Sequence, residues 1–432
     1  RAHVPGPLRK TEPYGSAVET HLADRLVGTP DGDDAELNLR RCVHCGFCLA
    51  TCPTYKLLGD ERDSPRGRIY LMKQVVEGAT PTRATLQHLD RCLTCRNCET
   101  TCPSGVEYGH LVDVGRKLVE QQVRRPLRER IVRALLRETL TRRWLFDPAM
   151  RIGQFVRPLL PSVLRDKVPE WRDPGPWPAR THARKVLLLN GCAQPAMIPS
   201  IDAATARVLD RLGIEAVVER RSGCCGAIRH HLNDTEGALA QVRRNIDAWI
   251  PHLDAGVEIV LVNASGCGAM VKEYAHLLRA DPAYAEKAKR VVAATRDPAE
   301  WLPGQLAPCA EALRARVRAG EVPARVAFHP PCTLQHGQRI RGAVENWLAS
   351  IGVAPAYVPD SHLCCGSAGT YSVLQPELSM QLRANKLAAL HTEAPAMVLS
   401  ANIGCIAHLQ AATGTPVRHW IEWVDEAMPP AS

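Results

Sequence analysis

Several common signatures are absent from this sequence, and each absence removes a class of function. No G-x-G-x-x-G motif follows a strand-like run, so the chain carries no fingerprint for a flavin or nicotinamide dinucleotide. There is no P-loop. No helicase, nuclease or nucleic-acid recognition motif accompanies the basic residues, and we expect no nucleic-acid partner. We therefore assign no catalytic residues and expect any substrate site to lie on another chain.

A long apolar run and a secretion signal are also missing. The longest apolar stretches, VLLLN and VEIVLVNA, have the length of single strands, and a membrane-spanning helix needs about 18 or more such residues. The 432 residues suffice for two or three domains with their own cores. Cysteine pairs at two-residue spacing without a signal peptide are typical of metal sites, so we expect a protein of the reducing cytoplasm.

The chain is rich in cysteine, with 17 residues of which 16 fall into short-spaced groups. RCVHCGFCLATCP (41–53) and RCLTCRNCETTCP (91–103) hold four each, and both end in Cys-Pro. The spacing C-x2-C-x2-C-x3-C-P is typical of bacterial ferredoxins, in which three cysteines hold one [4Fe–4S] cluster and the fourth ligates the other. Zinc also accepts four thiolates, but rarely at this spacing twice in one chain.

Because each motif is incomplete alone, we predict two interleaved [4Fe–4S] clusters. Their predicted ligands are Cys42, Cys45, Cys48 and Cys102 for cluster 1, and Cys92, Cys95, Cys98 and Cys52 for cluster 2. Between the motifs, Ile69, Met72, Val75 and Val76 stand at helical spacing before Gly78, which predicts a helix. Residues 36–114 should therefore form an α-helical two-cluster ferredoxin module.

The net charge of +9 is concentrated in one stretch, since residues 115–172 hold 15 Lys/Arg and 6 Asp/Glu. We predict a basic helical linker over 115–183, ended by the proline-rich DPGPWPA, and a loosely structured lead-in over 1–35. Two interpretations of the linker stay open: a solvated helical surface, or a helix that docks on anionic lipid or on an acidic partner. The second interpretation rests on interleaved apolar residues: Trp144, Leu145, Phe146, Phe155, Leu159 and Leu160.

An internal repeat fills residues 184–425. The first copy carries Cys192, Cys224, Cys225 and Cys267, and the second carries Cys332, Cys364, Cys365 and Cys405, at offsets of 140, 140, 140 and 138 residues. Strand-like runs end just before cysteines and alternate with helical segments, which predicts parallel sheets with the cysteines beyond their carboxyl ends. We predict two α/β lobes related by a pseudo-twofold axis, lobe one at 184–320 and lobe two at 321–432.

The adjacent cysteines of each lobe restrict the kind of site. Two neighbouring thiolates cannot both bind one tetrahedral ion without strain, whereas neighbouring irons of a cluster can take one each. From the residues alone three alternatives stay open for the lobes: an additional iron–sulfur cluster, one zinc per lobe, or reactive or buried thiols.

The repeated Cys-x31-Cys-Cys-Gly pattern, followed by a further cysteine, resembles the cysteine-rich CCG domain of the heterodisulfide reductase B subunit family. That resemblance implies a non-cubane [4Fe–4S] cluster on five cysteines. This sequence departs from the pattern, because Met270 and His408 stand where each copy should have its last cysteine. The resemblance therefore implies a cluster or zinc in lobe two, on Cys332, Cys364, Cys365, Cys405 and His408. In lobe one it leaves Cys192, Cys224, Cys225 and Cys267 with zinc, a cluster or an empty site.

The whole arrangement, over about residues 36–427, resembles the iron–sulfur subunit family of bacterial glycolate oxidase (glycolate dehydrogenase). The resemblance extends beyond the cysteines to SPRGRIYLMKQVVEG, NGCAQP, PDSHLCCGSAGTY and RHWIEW. It implies an α plus α/β chain that works beside two FAD-containing flavoprotein subunits. Those subunits would oxidise glycolate to glyoxylate, and this chain would carry the electrons to a membrane quinone at the bacterial inner membrane.

Redox chemistry independently requires a flavin partner. A hydroxyacid releases two electrons at once and an iron–sulfur cluster takes one, so a flavin must divide the pair. Two alternatives remain: the equivalent subunit of a lactate or glycerol-3-phosphate dehydrogenase, and a disulfide-reducing enzyme that acts at the CCG lobes.

Overall fold

The computed structural model describes residues 19–429, and its contacts divide the chain into two compact units. The first unit contains the chain up to Cys92 together with Cys98–Arg124, and the second contains Leu93–Asn97 and the chain from Arg125 onward. Most of the lead-in predicted at 1–35 lies outside the described residues. Within them, helix already begins at Pro30.

Helices build the first unit, as predicted for a helical ferredoxin module. They are α1 Pro30–Arg41, α2 Phe47–Ala50, α3 Pro53–Leu58, α4 Pro65–Val76, α5 Arg83–Asp90, α6 Asn97–Thr101 and α7 Tyr108–Gln122. Helix α4 begins at a proline, and the Ser64 hydroxyl accepts a hydrogen bond from the Gly67 amide, which satisfies one otherwise unpaired donor of the first turn. All four apolar residues that predict this helix are buried. The predicted helix between the two cysteine motifs is therefore confirmed.

The basic linker is helical as well, with α8 Leu127–Leu140, α9 Arg143–Phe155 and α10 Ser162–Arg165. Trp144, Ile152 and Phe155 lie at helical spacing on one face of α9 and are 73%, 64% and 88% exposed. Phe146, grouped with the surface residues in the sequence analysis, is instead buried on the opposite face against Met150. Among the helices of residues 19–429, none is both long and apolar enough to cross a bilayer.

Two parallel sheets follow, which confirms the predicted sheet type. The strands are β1 Arg184–Leu188, β2 Ile214–Val217, β3 Val260–Leu261, β4 Thr295–Arg296, β5 Val326–His329, β6 Met397–Ser400 and β7 Val417–His419. The first sheet has the order β2-β1-β3-β4 and the second β5-β6-β7. Each repeat contributes one sheet, and β1 and β5, the first strands of the two copies, both end shortly before a cysteine.

Helices cover these sheets. Those of lobe one are α11 Gln194–Met197, α12 Ser200–Arg211, α13 Ala227–His231, α14 Thr235–Asp254, α15 Ser265–Lys272, α16 Tyr274–Leu277, α17 Ala285–Ala294, α18 Pro298–Gln305 and α19 Ala310–Arg318. Those of lobe two are α20 Ala343–Ser350, α21 Tyr371–Leu374, α22 Pro376–Leu390, α23 Ile403–Gln410 and α24 Trp420–Ala427.

One hydrophobic core is shared by the two repeats. Val208 and Leu302 of the first copy pack in the same cluster as Trp347 and Trp420 of the second. The rings of Trp347 and Trp420 meet edge to face, with centroids 5.7 Å apart. The second unit is therefore held together across the repeat, and the boundary between lobes at 320/321 stays a prediction.

Candidate metal centres of the cysteine motifs

The two ferredoxin-type loops share a backbone conformation that suits an anion. His44 and Gly46 in the first loop have φ of 54° and 85°, and Thr94 and Arg96 at the matching positions of the second have 53° and 60°. Left-handed residues within such a turn direct successive N–H groups to one side, which forms the concave nest seen at many iron–sulfur sites. At Gly46 a Cβ atom would also lie 2.9 Å from the Arg66 side chain, so glycine leaves room there.

The predicted ligands of cluster 1 lie together in the first unit. Cys42, Cys45, Cys48 and Cys102 line one cavity, and Cys98 reaches it as well. Burial raises the pKa of the Cys42 thiol, and the neighbouring Cys102 and Cys45 raise it further. Burial also raises the pKa of Cys48 to about 12. Because metal ligands must be thiolates, a bound cation would have to compensate the charge of these buried thiols.

Three predicted ligands of cluster 2 gather around the buried Tyr108. Its hydroxyl donates to Cys92 Sγ at 3.9 Å. Burial raises the pKa of this hydroxyl well above its usual range, and Cys92, Cys98 and Cys52 add to the effect. Cys95, the remaining predicted ligand, lies in the loop Leu93–Asn97 that is counted with the second unit.

A buried arginine beside the predicted cluster 2 ligand Cys52 was missed by sequence reasoning. Arg68 is 1% exposed, donates to the His88 carbonyl at 2.7 Å and to Asp63 at 3.3 Å, and lies 4.0 Å from Cys52 Sγ. Burial lowers the pKa of Arg68, but the charge interactions with Cys92, Tyr108, Cys52 and Asp63 together hold it above its ordinary value. The sequence signal that could have identified Arg68 as buried is its position in α4, four and seven residues before the buried Met72 and Val75.

The Asp63 carboxylate, which accepts a hydrogen bond from Arg68, contacts other basic side chains as well. Asp63 is fully buried and accepts from Arg91 at 2.8 Å, and it pairs with His88 Nδ1 at 3.0 Å. The guanidinium groups of Arg68 and Arg91 both contact this carboxylate. A cluster on thiolates is anionic, and the Arg68 guanidinium lies 4.0 Å from Cys52 Sγ, so the surroundings of Cys52 fit an iron–sulfur cluster.

Each lobe brings its four predicted cysteines into one connected group. In lobe one Cys192 contacts Cys224, and Cys225 contacts Cys224 and Cys267. In lobe two the Sγ atoms of Cys332 and Cys364 are 3.8 Å apart, and Cys365 contacts Cys364 and Cys405. Across all 17 cysteines, which lie within the described residues, none forms a disulfide.

The glycine after each cysteine pair has a structural reason. Gly226 and Gly366 have φ of 96° and 88°, a conformation that other residues adopt only with strain. A Cβ atom on Gly366 would lie 2.6 Å from the Ser379 carbonyl oxygen in α22. The glycine therefore allows the pair to approach the following helix closely and fixes the direction in which the two thiols point.

The two residues that replace the expected fifth cysteine lie in different surroundings. Met270 packs in the core of lobe one with Cys225. His408 is buried, and its Nε2 lies 3.3 Å from Ser379 Oγ and 3.4 Å from the Ser379 carbonyl oxygen. The role of His408 as a ligand stays a prediction.

Another histidine approaches the cysteines of lobe two. The buried His329, Cys365 and Cys405 place one potential ligand atom each within 4.8 Å of the others. Burial, together with the nearby Lys386, lowers the pKa of His329 to about 3, so the imidazole is neutral and can bind a metal.

The chain matches two domain families. Residues 38–106 match a 4Fe-4S dicluster domain, and residues 186–272 and 326–410 each match the cysteine-rich domain. The tandem repeat of CCG domains is thereby confirmed.

Curated proteins resemble the chain over most of its length. It is 52% identical to the glycolate oxidase iron-sulfur subunit of Escherichia coli (strain K12), over 95% of this chain and 99% of that protein. It is 31% identical to the probable glycolate oxidase iron-sulfur subunit of Bacillus subtilis (strain 168), over 93% of each. Lactate utilization protein A of Geobacillus thermodenitrificans (strain NG80-2) is 28% identical over 54% of this chain and 95% of its own length.

Proposed function

Because the chain belongs to the family of glycolate oxidase iron-sulfur subunits, we propose that it carries electrons from FAD in two flavoprotein partners, where glycolate becomes glyoxylate, towards a membrane quinone. The observation that carries this proposal is the pair of ferredoxin-type motifs with the nest-shaped backbone of both loops. The hydroxyacid site belongs to a partner in this scheme, since the sequence has no G-x-G-x-x-G motif for a flavin dinucleotide.

The chain's own residues would hold two clusters on interleaved ligand sets. Cluster 1 is assigned to Cys42, Cys45, Cys48 and Cys102, and cluster 2 to Cys92, Cys95, Cys98 and Cys52. When bound, a [4Fe–4S] cluster supplies one-electron transfer. The loop amides would donate to the cluster sulfurs, the buried side chains would keep water away, and the fixed charge of Arg68 would favour negative charge on a cluster near Cys52. Lobe two is assigned a further metal centre on its four cysteines.

Metal analysis of the anaerobically purified chain tests the cluster assignment. We expect about eight irons and eight labile sulfides per chain from the ferredoxin-type motifs alone, and a larger iron content if a lobe also holds iron. An iron-free chain with stoichiometric zinc would contradict the electron-transfer function. In the complex with its flavoprotein partners, glycolate should reduce the iron–sulfur signals, while the isolated chain should not respond to glycolate.

A lactate-oxidising complex is the second candidate, favoured by the similarity to lactate utilization protein A over about half of the chain. The complex of this chain with its flavoprotein partners decides between glycolate and lactate as the substrate. Faster reduction of the iron–sulfur signals by lactate than by glycolate would favour this candidate, because the flavoprotein and not this chain selects the hydroxyacid.

We also propose that the basic linker binds the surface of the inner membrane. The exposed face of α9 carries Trp144 and Phe155, Leu159 just beyond it is 85% exposed, and the surrounding segment 115–172 holds the net charge of the chain. Apolar side chains on a basic helix suit the headgroup region, where each basic residue contributes about 1 kcal/mol.

Vesicle binding of the full chain tests the membrane proposal. We expect the triple variant Trp144→Ser, Phe155→Ser, Leu159→Ser to bind vesicles rich in phosphatidylglycerol at least tenfold more weakly than the parent. The control is Tyr357→Ser, which removes an aromatic residue of 70% exposure outside the linker and should leave binding unchanged. Equal binding by the triple variant and the parent would remove the linker from membrane contact.

A further inference from the structure

Lobe two contains a buried histidine that lobe one lacks. His329 is the last residue of β5, is 1% exposed and precedes Cys332 by three positions. The 140-residue offset between the lobes places Leu189 at the corresponding position of lobe one. Within the described residues the Nε2 atom of His329 has no hydrogen-bond partner, and its Nδ1 lies 3.4 Å from Ser400 Oγ. An unpaired buried polar atom costs about 1–3 kcal/mol, so a bound group is expected here.

The neighbours of this imidazole are metal ligands by type and by distance. One ring nitrogen of His329 and the Sγ atoms of Cys365 and Cys405 lie within 4.8 Å of one another. Ligands bound to one tetrahedral metal at about 2.0–2.3 Å are about 3.5 Å apart, so small side-chain rotations would close the group around an ion.

Lobe two has more potential ligands than one tetrahedral ion takes. Cys332 and Cys364 are 3.8 Å apart, Cys365 contacts Cys364 and Cys405, and His329 lies near Cys365 and Cys405. These five donors exceed the four that a structural zinc takes. Neighbouring irons of a cluster, in contrast, each need ligands of their own.

A buried cation completes the difference between the lobes. Lys386 is 4% exposed, donates to the Asp360 carbonyl at 2.8 Å and is close enough to Cys365, Cys364 and Cys332 to interact with their charges. The corresponding position of lobe one is the apolar Ile246. Lobe two therefore offers a buried cation to an anionic centre, whereas the cation beside Cys224 in lobe one is the exposed Arg244.

We propose that the imidazole of His329 is the fifth protein ligand of an iron–sulfur centre in lobe two, beside Cys332, Cys364, Cys365 and Cys405. The inference rests on the metal centre proposed above for this lobe and names its missing ligand. His408 then has a supporting role: it contacts Ser379, whose hydroxyl donates to the Gly366 carbonyl at 2.8 Å. With Leu189 and Met270, lobe one lacks a fifth ligand of either kind.

Pulsed EPR of the anaerobically purified full chain tests this assignment. The parent should show a ¹⁴N hyperfine coupling from a coordinated imidazole on a signal separate from those of the ferredoxin-type clusters. His329→Ala should lose that coupling and about four irons per chain, and should keep the about eight irons of the two motifs. The matched control His408→Ala changes a buried histidine of the same lobe and should keep both the coupling and the iron.

Three outcomes would overturn the proposal: a coupling that persists in His329→Ala, a coupling lost in His408→Ala instead, or zinc in place of iron in lobe two. If His329→Ala does not fold, His329→Cys replaces it as the test. The new thiolate should retain the iron, and the ¹⁴N coupling should disappear. A ¹⁴N coupling that persists in His329→Cys would also overturn the proposal. The proposed electron-transfer function is read separately: absence of the ferredoxin-type signals in the parent would count against that function, whatever happens at His329.

Discussion

Replacing Cys102 by serine should remove cluster 1, although Cys102 belongs to the second motif. The Cys102 thiol is close enough to the buried Cys42 of the first motif to raise its pKa, and it lines the same cavity as Cys45 and Cys48. A serine hydroxyl is a poor ligand for iron, so the ferredoxin-type iron should fall from about eight to about four atoms per chain. The measurement is iron and sulfide analysis with EPR of the reduced chain, in which one cluster signal should persist.

Cys52→Ser is the mirror experiment and should remove cluster 2 instead. Double variants then make the test decisive. Cys42→Ser with Cys102→Ser should lose no more iron than either single change, because both ligands belong to one cluster, whereas Cys52→Ser with Cys102→Ser should lose both clusters. If Cys42→Ser with Cys102→Ser removes all the ferredoxin-type iron, each motif holds its own cluster and the interleaved assignment is wrong.

Sequence spacing was informative here because much of the site is local. The C-x2-C-x2-C spacing places three thiols on one loop, and apolar residues from Ile69 to Val76 predicted α4 and its buried face. The parallel sheets followed from strand-like runs that end before cysteines, as seen for β1 and β5. In each case the residues that determine the feature are neighbours in the sequence, so a periodic pattern records it.

Contacts between segments that are distant in the sequence produce no such periodic pattern. Motif comparison directed attention to His408, three residues after Cys405, because it occupies a cysteine position. The structure also places His329 near Cys365 and Cys405, from the end of a strand distant in the sequence. The burial of Phe146 was missed for the same reason, since charge and aromatic content alone do not tell which face of α9 packs against α11.

The buried ion pair of Asp63 and Arg68 in the first unit was also not predicted from the sequence. Its disruption should have a large effect on stability. Asp63→Asn should lower the free energy of unfolding by about 3–5 kcal/mol, because the buried guanidinium of Arg68 would lose its carboxylate partner. Asp63 is fully buried, and Arg68 beside it is 1% exposed. Urea unfolding followed by helical circular dichroism measures the change. Asp60→Asn is the control, because the Asp60–Arg62 pair lies at the surface and its loss should change stability little.

An electrostatic role of Arg68 and Asp63 predicts shifts of opposite sign in the midpoint potential of the nearby cluster when each residue is replaced. A merely structural role does not predict opposite signs. An electron on the cluster near Cys52 is stabilised by the guanidinium of Arg68, so Arg68→Met should lower the midpoint potential of that cluster and Asp63→Asn should raise it. The double variant should restore part of the stability lost in Asp63→Asn, since it removes the buried Arg68 cation together with the anion. Shifts of the same sign in both single variants would mean that the network only packs beneath Cys52. Opposite signs would mean that this buried charge sets the potential of the cluster near Cys52.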